Sequence, residues 1–148
     1  MTPISSPAVG RPLSPAGTLV DTSVFVAAER GQLDLSEKMP RSPAPFLISA
    51  ITVSELEANL HWPRRSPAKL KESEEYIKKV FANFRIVPFD CRVALAHGPL
   101  FAALRGNGVN VGAHDLMIAA TALAHDYLLV TRDQRSFPRI PGLRFEIW

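Results

Sequence analysis

Short apolar runs alternate with helical patterns along almost the whole chain, and this alternation limits the possible folds more than any other feature. Thr18–Val20, Phe46–Ile48, Arg85–Phe89, Leu128–Thr131 and Arg144–Trp148 read as strands. A helical stretch runs from Asp21 to Arg30 with Gly31 as its stop, and a second lies around Val53–Leu60. From Ala68 to Phe84 the apolar residues Leu70, Ile77, Val80, Phe81 and Phe84 follow helical spacing, with lysines and glutamates between them. Asp90 opens a further helix, expected to kink or break near Gly98-Pro99. Ala113–His125 is apolar almost all round and is therefore expected to be buried. Strands separated by helices imply an α/β fold, a parallel sheet covered by helices on both faces. Such sheets bind ligands beyond the carboxyl ends of their strands, where the strand order reverses. The residues just after each strand therefore matter most.

At 148 residues the chain fits one domain and can bury a core without a disulfide or structural zinc. Its single cysteine, Cys91, can form neither an internal bridge nor a zinc cluster, and a reducing cytoplasm is the expected compartment. No apolar run is long enough to span a bilayer, and the start lacks the basic and apolar segments of a secretory signal. Residues 1–17, rich in Pro, Ser and Gly, read as a disordered leader to a domain at 18–148. The net charge of +3 is compatible with a nucleic-acid partner without requiring one.

Four carboxylates stand at strand exits or early in the helices that follow: Asp21, Glu55, Asp115 and Asp133. Each has an ordinary duty available. Asp21 can cap a helix, Glu55 can close a capping box with Thr52, Asp115 complements a helix dipole and Asp133 suits a turn. Their coincidence at one crest of a parallel sheet is what the ordinary duties leave unexplained. Clustered carboxylates repel and lose hydration, and a hard cation such as Mg²⁺ or Mn²⁺ offsets both costs. Asp90 also follows a strand and can cap a helix.

These residues lie in stretches that resemble the VapC group of PIN domains. The stretches are Leu19-Val20-Asp21-Thr22-Ser23-Val24, Ile48 to Leu56, Gly112 to Ala122, Leu129-Val130-Thr131-Arg132-Asp133, and the terminal Phe137 to Leu143. Together they span Thr18–Trp148 in the family's order. The resemblance implies a PIN-like three-layer fold with a central five-stranded parallel sheet. It also implies that Asp21, Glu55, Asp115 and Asp133 form a metal site, with Asp133 at the most variable position. It implies no metal role for Asp90, which is therefore assigned to helix capping. The implied activity is Mg²⁺- or Mn²⁺-dependent hydrolysis of RNA by the toxin of a toxin–antitoxin pair. The implied partners are a VapB-type antitoxin and a second copy of the chain, with Trp148 and the Ala68–Phe84 helix as candidate dimer contacts. Thr22, Ser23 and Thr131 flank the acids and can hold them by hydrogen bonds. Asn59-Leu60-His61-Trp62-Pro63-Arg64-Arg65 departs from the family, which has a small residue soon after the second acid.

Substrate phosphates also need cations. Arg64, Arg65, Lys69 and Lys71 cluster on one segment, and Arg132, Arg135 and Arg139 on another. Aromatic residues are scattered rather than interleaved with these, so no stacking platform is expected. His114 beside Asp115 reads as a helix-N-terminal residue rather than a base, because a metal-activated water needs none. A PIN nuclease of RNA processing and an inactive PIN binding module are the competing readings; the second is disfavoured because none of the four acids is missing. A phosphoacceptor receiver domain is excluded, since no lysine stands at a strand end to meet its phosphate.

Overall fold

The computed structural model describes residues 13–39, 45–63 and 65–148. Most of the expected leader, the Pro-rich segment at 40–44 and Arg64 lie outside the described residues. Five strands form one sheet: β1 (Thr18–Val20), β2 (Phe46–Ser49), β3 (Arg85–Val87), β4 (Leu128–Thr131) and β5 (Phe145–Ile147). Their order is β3-β2-β1-β4-β5, and every neighbouring pair is parallel. The helices are α1 (Thr22–Glu29), α2 (Leu35–Lys38), α3 (Ala50–Leu60), α4 (Pro67–Asn83), α5 (Cys91–Gly106) and α6 (Ala113–His125). The chain passes from β1 outward to β2 and β3, then returns to place β4 on the far side of β1. The strand order therefore reverses between β1 and β4.

The strands are apolar on both faces because both are covered. Leu19, Leu47 and Leu129 point into a cluster with Leu104 of α5 and Leu116, Ile118, Ala119 and Ala122 of α6. Their neighbours Val20, Ile48 and Val130 point the other way, toward Phe25 of α1, Leu56 of α3 and Ile77 and Val80 of α4. The two-residue period of a strand thus divides the core into two halves. Phe25 and Phe84 meet edge to face at 5.1 Å, an arrangement that adds about 0.5–1.5 kcal/mol to their burial. Gly17 precedes β1 where a Cβ would stand 2.5 Å from Leu47 Cδ1, so a side chain there would force Leu47 to shift. Gly31, at φ +72°, ends the first helical segment as expected.

Several boundaries differ from the sequence expectation for local reasons. α3 starts at Ala50 because the Ser49 hydroxyl accepts from Thr52 N at 3.1 Å, earlier than the apolar pattern indicates. The third strand stops at Val87, since Pro88 has no N–H for the ladder. α5 continues through Gly98-Pro99; the carbonyl that Pro99 leaves without its helical donor belongs to Leu95, an exposed residue. α2 escaped notice because four residues carry no period, although Asp34 caps it.

Candidate active site

The reversal point between β1 and β4 is where an open parallel sheet leaves a crevice, and Asp21 lies there. It leaves β1 extended (φ −71°, ψ 152°) and caps α1, accepting from Ser23 N at 3.4 Å. The cap is only part of its role. Asp21 is 3% exposed, and its Oδ2 also accepts from Ser23 Oγ at 2.6 Å and from Thr131 Oγ1 at the end of β4, 2.9 Å away. Thr131 Oγ1 in turn accepts from Asp133 N at 3.0 Å, and Ser23 Oγ from Arg132 N at 3.0 Å. Two hydroxyls thus lock the exits of the two central strands together around one carboxylate.

Glu55 is not part of a capping box. Ser49 has taken the cap, which moves Glu55 into the second turn of α3. There its Oε1 accepts from Thr22 Oγ1 at 2.8 Å, and its Oε2 lies 3.7 Å from His114 Nδ1. Thr22 Oγ1 also stands 3.1 Å from the buried Thr52 hydroxyl, tying α1 to α3. Asp115 lies in the first turn of α6, as expected. Asp133 closes a turn by accepting from Arg135 N at 2.7 Å and Ser136 N at 3.1 Å.

The electrostatics show that the four acids share one neighbourhood. Burial pushes the Asp21 carboxyl above its usual range, the Ser23 and Thr131 hydroxyls oppose the push, and the charge of Asp115 adds to it. Burial likewise raises Asp115; Ser136 opposes this, and the charges of Asp133 and Glu55 reinforce it. Asp133 goes the other way, because the Arg135 and Ser136 backbone N–H groups outweigh its desolvation. Asp115 therefore links the group: it feels the charges of Asp133 and Glu55, and Asp21 feels the charge of Asp115. Among the described residues no group of three or more His, Cys, Asp or Glu side chains is arranged to hold a metal ion as it stands. The donor set is nonetheless all oxygen, and its repulsion is what a hard cation relieves, so in chemistry it fits Mg²⁺ or Mn²⁺. Any of Asp21, Glu55, Asp115 and Asp133 can serve as a ligand.

Two supporting residues went unnoticed in the sequence. The Ser136 hydroxyl lies within hydrogen-bond reach of both Asp115 and Asp133. Thr52, fully buried, reads as a helix cap in the sequence and instead braces Thr22. A serine one turn after an acid carries no pattern that marks it. Asp90 caps α5 through Val93 N at 3.1 Å, as expected. The cations near the β4 exit are oriented by backbone. Arg132 Nη1 donates to Trp148 O at 3.2 Å and Arg139 Nη2 to Asn110 O at 2.6 Å.

This crest belongs to a known family: the PIN-domain profile matches residues 18–143. The chain is a PIN domain. Over 129 residues it is 32% identical to Ribonuclease VapC1 of Rickettsia felis, covering 86% of this chain and 92% of that one. It is 28% identical over 131 residues to the tRNA(fMet)-specific endonuclease VapC of Salmonella typhimurium, covering 88% and 96%. DNA-bound VapBC from Salmonella typhimurium superposes with a TM-score of 0.80 at 26% identity, over 89% of this PIN domain and 98% of that chain. FitAcB from Neisseria gonorrhoeae gives 0.75 at 28% identity, over 87% and 96%. Among the described residues no helix is long and apolar enough to cross a membrane.

Proposed function

We propose that this PIN domain is a metal-dependent endoribonuclease and the toxin of a type II toxin–antitoxin pair. The observation that carries the reading is the convergence of Glu55 and Asp133 on Asp115, and of Asp115 on Asp21, at the strand-order reversal. Asp21, Glu55, Asp115 and Asp133 would hold Mg²⁺, with Mn²⁺ as an alternative. When bound, the ion supplies an activated water and neutralises charge on the scissile phosphodiester. Ser23 and Thr131 fix the Asp21 carboxylate, and Thr22 aims Glu55, so the ligands are positioned before substrate arrives. Arg132 and Arg139, held by backbone carbonyls, offer cations to neighbouring phosphates.

The partners follow from the same crest. An acidic cluster takes an arginine as readily as a metal. A small VapB-type antitoxin is expected to seat a basic side chain among Asp21, Glu55 and Asp115 and silence the enzyme in the cytoplasm. A homodimer is also proposed, with the half-buried Trp148 and the exposed face of α4 as contacts; Trp148 packs on Phe46 as well, and Ile77 and Val80 of α4 lie in the core. Leu95 and Phe101 on α5 are among the exposed apolar side chains that could add to it.

Incubating the purified protein with RNA in Mg²⁺, Mn²⁺ and EDTA tests the chemistry: cleavage should require the cation, and full activity in EDTA would sink the metal site. Mg²⁺ should also raise the melting temperature of the wild type more than that of Asp21→Asn. Expression alone and with the neighbouring small reading frame tests the biology. Toxicity relieved by the neighbour supports the toxin reading, and a harmless active enzyme returns the assignment to RNA processing.

A further inference from the structure

The two tryptophans of the chain are used very differently. Trp148 stacks against Phe46 with ring centroids 6.1 Å apart, lies under Lys38 Nζ and donates its indole N–H to Glu146. Trp62 is 70% exposed, and among the described residues its ring and its N–H engage nothing. An idle, exposed indole next to a candidate nuclease site calls for an explanation beyond folding.

Its position supplies one. Glu55, Asn59 and Trp62 follow one another at i, i+4 and i+7, so they lie along one stripe of α3 and its C-terminal end. Trp62 comes directly after the C-cap His61, whose backbone (φ −91°, ψ 4°) barely leaves the helical path. Seven residues at helical rise put Trp62 roughly 10 Å beyond Glu55. At about 3.4 Å per stacked nucleotide, that is roughly three nucleotides from the cleavage point. Asn59 is exposed, and its amide carries both donor and acceptor toward solvent.

Arg65 and Lys69, a few residues after Trp62 in the chain, line a polar cleft of about 760 Å³ between α1 and the start of α4, together with Arg30, Glu29 and Glu72. Glu29 is already taken: Ser73, 4% exposed, donates to it, and Arg65 Nη1 donates to Ser73 and lies 3.9 Å from Glu29. Arg65 is thereby tied to Ser73 and Glu29, while Arg30 and Lys69 line the same cleft.

We propose that the Glu55–Asn59–Trp62 stripe is a substrate subsite that grips single-stranded RNA about three nucleotides from the scissile bond. This rests on the nuclease reading above and names what that site prefers. Trp62 stacks on a base, the Asn59 amide reads a base edge, and the cations of the α1–α4 cleft take the backbone beyond. Stacking on an exposed aromatic ring with cations alongside is how proteins hold unpaired nucleotides. A docking patch for a protein would need apolar neighbours, whereas the exposed residues near Trp62 in the chain include the polar Asn59, His61 and Arg65.

The test is steady-state cleavage of a short mixed-sequence single-stranded RNA in Mg²⁺ by wild type, Trp62→Ala, Trp62→Phe and Asn59→Ala, with indole fluorescence quenching by the same RNA in EDTA. Trp62→Ala should raise KM by about 5- to 150-fold with kcat nearly unchanged, and Trp62→Phe should recover most of the loss. Asn59→Ala should shift which sequences are cut. RNA should quench wild-type fluorescence more than that of Trp62→Phe. Unchanged KM in Trp62→Ala, with the wild type active, overturns the subsite and leaves the nuclease reading intact. Quenching without any cleavage overturns the nuclease reading and with it a subsite defined by a scissile bond, leaving Trp62 as part of an RNA-binding surface only. Weakened binding of a protein partner with RNA cleavage unaltered assigns Trp62 to that partner and overturns the proposal.

Discussion

Asp21 and Asp90 begin from the same local situation and end in different ones. Each is the first acid after a strand, and each caps the following helix, Asp21 through Ser23 N and Asp90 through Val93 N. Asp21 leaves a central strand beside the order reversal, where the exit of β4 lies against it. Asp90 leaves β3 at the edge of the sheet. Only Asp21 is buried, and only Asp21 gains two hydroxyl partners and the field of a second acid. The difference teaches that the local motif of a strand-exit acid does not make a site. The strand order makes it, by bringing a second strand exit within hydrogen-bond reach of the first.

The sharpest way to break that comparison is by substitution at both positions. Asp21→Asn or Asp115→Asn should lower RNA cleavage on the order of 10³-fold while the protein still folds, measured by product formation and thermal melting. Asp90→Asn should leave cleavage unchanged, because asparagine caps as well as aspartate. Asp90→Ala should cost only about 1 kcal/mol of stability. Equal losses of activity at positions 21 and 90 would refute the distinction. Next in size is Thr131→Val, which keeps the shape of the side chain but removes the hydroxyl between Asp21 and Asp133 N. It should lower activity about 10- to 100-fold, as loss of a group that orients a ligand does. It should also cost about 1–3 kcal/mol of stability, since a backbone donor loses its acceptor.

The architecture was legible because its causes are local and periodic. Short continuous apolar runs marked Leu19/Val20, Leu47/Ile48 and Leu129/Val130, and successive residues of those runs face the two halves of the core. Asp21 and Asp133 were legible as strand-exit residues and Glu55 and Asp115 as acids early in helices, while Asp90 was set aside on the family pattern and lies at the edge of the sheet. What was not legible depends on contacts between distant segments. Thr52 reads locally as a helix cap because it stands three residues before Glu55, yet Ser49 does that job and Thr52 instead meets Thr22, thirty residues away. Ser136 comes beside Asp115 only because β4 and α6 converge. Pro99 read as a helix break because its cost is local, but that cost falls on Leu95, an exposed residue, and α5 continues. Trp62 gives the same lesson in reverse: its place on the Glu55 stripe follows from helix geometry that sequence spacing alone would have shown.

The smallest expected effect contrasts two acids within the site. Burial raises the Asp21 carboxyl above its ordinary value of 3.8, whereas the Arg135 and Ser136 N–H groups hold Asp133 below it. The signs of their contributions to stability are therefore opposite. Between 3.8 and its raised value, the folded protein binds more protons at Asp21 than the unfolded chain does, so stability falls as pH rises through that window. At Asp133 the folded protein binds fewer protons below 3.8, so its contribution is present above that pH and is lost on acidification. In chelator, Asp21→Asn should lack the fall seen in the wild type as pH rises from 3.8, and Asp133→Asn should lose its acid-side decline. Melting temperature against pH for the three proteins measures both. Mg²⁺ favours the charged carboxylate, so it should flatten or reverse the Asp21 component and leave the Asp21→Asn curve almost unmoved. A wild-type curve that Mg²⁺ shifts no more than the variant's would mean that the burial of Asp21 serves the packing of β1 against β4 and not a cation.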